Sequence, residues 1–151
     1  ADYIVLGFSR DLGPNAMRAA DRLRGELRLG VIVLDGLSGV PYRRLAHAMC
    51  DVLAVTVVEP VNEAGLHEPF SLLLRRALRV ESERPDWPWA TGNIPRIHTA
   101  LRVNDGYRIR VEDVEAAARA MKYYGPDIIW IGEEEGESGA GVSTPPPIDA
   151  A

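Results

Sequence analysis

"YIVLGFSRDLGPNAMRAADRLRGELRLGVIVLD", residues 3–35, decides the fold. It begins with a six-residue apolar run, too short for a helix and too uniformly apolar for a half-exposed strand. Such a run reads as a strand buried on both faces. The polar loop "SRDLGPN" follows, and Pro14 suits the first turn of a helix. Ala16, Met17, Ala20, Leu23 and Leu27 then recur at helical spacing, and Gly30 is read as the helix stop. "VIVLD", residues 31–35, is a second apolar run. A buried strand, a helix and another buried strand make a parallel unit.

The same rhythm continues along the chain. "GLSGVP" turns it, and Tyr42, Leu45, Ala46 and Met49 form one face of a short helix begun at Pro41. "VLAVTVV", residues 52–58, is a third strand rich in β-branched residues. The loop "EPVNEAGLHEP" leads to Pro69 and to a helix with an apolar side at Phe70, Leu73, Leu74, Ala77 and Leu78. "VESERPDWPWATGNIP" has three prolines, two tryptophans and no period, and is a long loop in which Trp87 and Trp89 should pack on a neighbouring surface. "RIHTALRV" is a fourth strand. Val111, Val114, Ala117, Ala118 and Met121 mark a helix whose early acids, Glu112, Asp113 and Glu115, suit the positive end of its dipole. "DIIWIG" is a last short strand.

These elements predict a three-layer α/β/α sandwich around a mostly parallel sheet of about five strands, residues 1–131. Residues 132–151 form an acidic, then Gly/Ser-rich, then proline-rich tail or linker from which no core can be built. Right-handed crossovers would place the loops after each strand along one edge. Ser9 and Arg10, and the loop residues after strand three, should therefore line an edge where ligands and partners meet α/β sheets.

Composition narrows the classes. The chain has 151 residues, 46% hydrophobic and 26% charged, with a net charge of −5. That describes one globular domain. Residues 127–151 carry six acids and no Lys or Arg, against 17 bases and 16 acids elsewhere. No basic face for nucleic acid is implied, and no run approaches the ~20 apolar residues of a membrane helix. The chain opens almost directly in a strand pattern, as an excised domain or processed chain would. Its single cysteine, Cys50, reads as a structural thiol; it cannot build a four-thiolate centre alone and fits a cytoplasmic setting.

Chemistry-bearing motifs are sparse. "GFSRDLG" lacks the lysine and hydroxyl of a phosphate loop. "GLSGV" has the wrong spacing for a nucleophile elbow, so Ser38 is no nucleophile. His47, His67 and His98 share no metal spacing and read as structural or surface residues. His67 lies between Glu63 and Glu68, a setting that favours imidazolium. Glu59, Glu63 and Glu68 straddle a proline–glycine loop that fixes no catalytic geometry. They read as loop braces, with Glu68 placed to cap the helix at Pro69.

The order of these motifs resembles the transketolase C-terminal-like domain, in particular the version within pyruvate:ferredoxin and related 2-oxoacid oxidoreductases. The resemblance runs from Tyr3 to Lys122. Its most specific part is "NEAGLHEPF", where Glu63, Gly65, Glu68, Pro69 and Phe70 match a glutamate–glycine loop leading into a helix. "IPRIHTALRVNDGYRIRVEDVEAAARAM" resembles the closing strand, turn and helix, with Glu112 and Val114 in the helix start. Two places depart. The turn after strand two has Ser38, Gly39, Val40 and Tyr42 around Pro41, without the family's arginine, and the closing strand offers Arg102 without a glycine pair.

The resemblance implies a non-catalytic domain or subunit. Whole enzymes of this family use thiamine diphosphate, magnesium and iron–sulfur clusters held mainly on other domains, so this chain alone should bind none. Its partners would be the other domains or subunits, or a second copy in a homodimer. Ser9, Arg10, Glu59, Asn62, Glu63, Gly65, His67, Glu68 and Arg102 are the edge residues through which it would act. The same resemblance extends to the C-terminal domain of transketolase, deoxyxylulose-phosphate synthase or a 2-oxoacid dehydrogenase. A free-standing interaction module using Trp87, Trp89 and the tail is a further alternative.

Overall fold

A computed structural model describes residues 1–8, 12–36, 39–60, 69–87, 94–103 and 107–132. Five strands and four helices alternate: β1 (Tyr3–Phe8), α1 (Pro14–Arg22), β2 (Leu29–Leu34), α2 (Tyr42–Ala48), β3 (Ala54–Pro60), α3 (Phe70–Ser82), β4 (Arg96–Arg102), α4 (Val111–Lys122) and β5 (Ile128–Ile131). The strands form one sheet in the order β2-β1-β3-β4-β5, and every pair is parallel. The three-layer α/β architecture read from the sequence is the one observed.

Alternation of side chains across the sheet divides the core in two. One face carries Val5, Ala54, Val58, Ala100 and Ile129 against α1 and α4, through Ala16, Ala19, Val114, Ala118 and Met121. The other carries Leu6, Val55, Val57 and Ile97 against α2 and α3, through Leu45, Met49, Leu74 and Leu78. Each fully buried leucine among these stabilises the fold by about 1.5–3 kcal/mol.

Three local readings change. Met17 is 57% exposed, and Ala19 takes its place on the buried side of α1. Gly30 does not stop α1: the helix ends at Arg22, and Gly30 lies within β2, beside Ile4 in register. The uniform right-handed crossover also fails. The chain steps one way over the α1/α4 face from β1 to β2, and the opposite way over the α2/α3 face from β2 to β3 and from β3 to β4. Those three connections share one hand. From β4 to β5 it steps outward over the α1/α4 face, which is the opposite hand. Because about 98% of parallel crossovers are right-handed, the last one is the left-handed exception. Its cause is coverage. The α1/α4 face needs a second helix over β1 and β3, and α4 supplies it, packing on α1 and those strands.

Trp87 is buried and meets the His47 ring edge-on at 5.6 Å. It packs on a neighbouring surface, as its sequence setting implies; Trp89 lies outside the described residues. Cys50 is half-buried, and burial together with Asp51 pushes its thiol pKa up, away from reactive thiolate. No described helix is long and apolar enough to cross a membrane.

Candidate functional site

The sheet order reverses between β1 and β3, and open α/β sheets bind ligands and partners outside the carboxyl ends of the strands at such a point. Phe8 ends β1 and Glu59 lies one residue from the end of β3. Gly7 permits a close approach here: a Cβ on it would lie 2.9 Å from Leu12 Cγ, the side chain that closes over β1.

Glu59 is 5% exposed, yet it is not an orphan charge. Its Oε1 accepts from the backbone N–H of Phe70 at 2.7 Å, and its Oε2 from that of Ser71 at 3.3 Å. These are the first two helical donors of α3, whose N-cap, Pro69, offers no side-chain acceptor. Glu59 therefore caps α3 from the neighbouring strand, where a carboxylate also meets the positive end of the helix dipole. The bracing role read for the glutamates holds for Glu59. Glu68, the cap suggested by sequence, lies outside the described residues.

The capped residue is wedged in place. The Phe70 ring meets Phe8 edge-on at 5.3 Å and stacks on Tyr42 at 6.1 Å. Burial raises the Tyr42 phenol pKa, keeping it neutral. The start of α3 is thus fixed by two charge-assisted bonds and an aromatic cluster, which makes this end of the sheet a rigid platform.

Arg102 ends β4 and is 8% exposed, in register with Pro60 and Ile131. It alternates with Leu101, the register partner of Glu59, so Arg102 and Glu59 project from opposite faces of the sheet. The two candidates are neighbours along the edge without forming a pair. Ser9, Arg10, Asn62, Glu63, Gly65, His67 and Glu68 lie outside the described residues.

On the α4 face the edge carries a cluster that the sequence reading missed. The Tyr107 hydroxyl donates to Asp113 Oδ2 at 2.8 Å, the Arg110 backbone N–H donates to the same oxygen at 2.9 Å, and Arg110 Nη2 reaches Oδ1 at 3.4 Å. Asp113 is the third residue of α4, so its bond to Arg110 forms one arm of a capping box; arginine has no acceptor for the other arm. The spacing of Arg110 and Asp113 was the available signal. Burial and the neighbouring Asp113 push the Tyr107 pKa up to about 12, so the phenol remains a donor.

His98 lies at mid-β4, 3% exposed. Its Nδ1 is 3.4 Å from the Pro126 carbonyl and its Nε2 is 3.3 Å from Arg96 Nη1. One neutral tautomer satisfies both, donating from Nδ1 and accepting at Nε2. Burial lowers its pKa, which favours the neutral ring.

Among the described residues no three His, Cys, Asp or Glu side chains converge as metal ligands. What the described edge provides is a braced surface with capped helix starts. Compared with protein-family models and with curated proteins, the chain matches none.

Proposed function

We propose that the chain is a non-catalytic α/β domain or subunit of a thiamine diphosphate-dependent 2-oxoacid:ferredoxin or flavodoxin oxidoreductase, and that it organises neighbouring domains through its strand-end edge. The observation that carries the non-catalytic part is Glu59. The conspicuous buried carboxylate at the switch point has both oxygens on backbone donors of α3, which leaves it ill-suited to act as a base. The family part rests on the ordered likeness ending in "NEAGLHEPF". A cytoplasmic setting accords with the lone cysteine.

Isothermal titration of the chain with thiamine diphosphate and Mg²⁺ tests the non-catalytic part. The reading expects no saturable heat at micromolar cofactor. A stoichiometric, micromolar isotherm would contradict it.

A further inference from the structure

β2 lies at one edge of the sheet, and among the described residues it pairs only with β1. The Arg28 carbonyl accepts from the Tyr3 N–H at 3.1 Å, so strand alternation points the N–H and C=O groups of Gly30, Ile32 and Leu34 at β1. Those of Leu29, Val31 and Val33 point outward. Edge strands are ordinarily blunted by charge, proline or brevity. The other edge, β5, is four residues long. β2 runs for six, "LGVIVL", with no charge and no proline, and Val33 on it is 49% exposed.

A matching surface flanks this edge on the α1 side. Leu29 and Val31 pack toward that face of the sheet, and alternation puts Val33 and Asp35 there as well. Arg22 ties one flank of α1 to Glu112 and Glu115 of α4. Met17 and Ala20 lie on the other flank, toward β2, where with Leu27 and Leu29 they line a shallow hollow of about 340 Å³. Arg24 and Arg28, both exposed, border it. Their pairs with Asp21 and Asp2 are exposed too, and each guanidinium retains N–H donors beyond them.

These features fit one another under a two-fold axis. When β2 pairs antiparallel with its own copy about Val31, Leu29 faces Val33 of the second copy and Val31 faces Val31. Each outward N–H and C=O of these residues then meets a partner. Val33, exposed near one end of the strand, enters the hollow beside Leu29 at the other end. Asp35 of the second copy arrives opposite Leu27, next to Arg24 and Arg28. Centring the pair on Ile32 instead would set Asp35 against Leu29 and the apolar hollow, so the hollow and the charges together select Val31.

We propose that a second copy of this chain docks on β2, antiparallel about Val31, and joins the two sheets into one continuous sheet. The contact uses the lateral edge of the sheet and leaves the strand-end edge open to other partners, so it holds whatever enzyme the chain serves.

The test is sedimentation equilibrium of the full chain under a thiol reductant, from micromolar to millimolar protein, with amide exchange followed by NMR on the same samples. The mass should rise from 16.6 kDa toward twice that value. Over the same range the Leu29, Val31 and Val33 amides should gain protection, while those of Gly30, Ile32 and Leu34 are protected throughout. Val33→Lys and Met17→Glu change exposed side chains. Each should weaken association by about tenfold or more, as loss of a buried anchor does, with the thermal midpoint of dilute protein unchanged. A chain that stays monomeric at millimolar concentration would overturn the proposal. So would a dimer that keeps its affinity in both variants, or growth in mass beyond a dimer, which a two-fold contact does not give. Val31 and Val33 amides protected already in the monomer would overturn it too, since the chain would then cover its own edge.

Discussion

Glu59 directs both carboxylate oxygens to α3, and this determines what its loss should do. Glu59→Ala leaves the Phe70 and Ser71 donors without their acceptor in a buried setting. A cost of about 1–2 kcal/mol follows, to be read as a lower urea midpoint with an unchanged m-value. Glu59→Gln keeps one acceptor and should cost less. His98 predicts a pH response. Its pKa is lowered in the fold, first by burial and then by the positive charges of Arg96 and Arg75, against the opposing pull of the Pro126 carbonyl and Asp127. The unfolded chain binds the proton more readily. The contribution of His98 is therefore complete above about pH 6.5 and is lost as pH falls toward its folded pKa, by at most about 1.4 kcal/mol per pH unit. Unfolding free energies measured between pH 5 and 8 should show this loss in the native chain, and a shallower one in His98→Gln.

At the scale of elements, the parallel rhythm was legible because the strands are short, apolar and separated by helices whose faces repeat. Phe70, Leu74 and Leu78 were readable as the buried side of α3, and Val114, Ala117, Ala118 and Met121 as that of α4. Boundaries were less so. Met17 and Ala19 lie on opposite flanks of the stripe that Ala16, Leu23 and Leu27 define, and Ala19, nearer its centre, is the one buried. The observed cap of α3 was not readable, because a sequence cannot show Glu59 arriving from a neighbouring strand. The hand of the last crossover was unreadable for a similar reason, since it depends on which sheet face lacks a helix. Where β5 ends, Gly132 combines positive φ with the Tyr107 ring, which would lie 3.0 Å from an added Cβ. Gly132→Ala should therefore cost more than about 1 kcal/mol, visible as a fall in thermal midpoint, whereas Gly13→Ala, with open space around it, avoids that clash.

For the whole molecule, the central claim is membership in a larger oxidoreductase without a catalytic centre of its own. The sequence predicts the strand-end edge as a place for partners, and the described residues there are a capped helix, an aromatic wedge and two charged strand ends on opposite faces. The claim is tested through what the chain assembles with. Native purification of the tagged chain from its own cells, followed by analysis of its bound partners, does this most directly. The account predicts that thiamine diphosphate, iron and acid-labile sulfide co-purify in a complex that reduces viologen with a 2-oxoacid and coenzyme A. A preparation that holds stable partners yet contains no thiamine diphosphate and reduces no acceptor with any 2-oxoacid would contradict it.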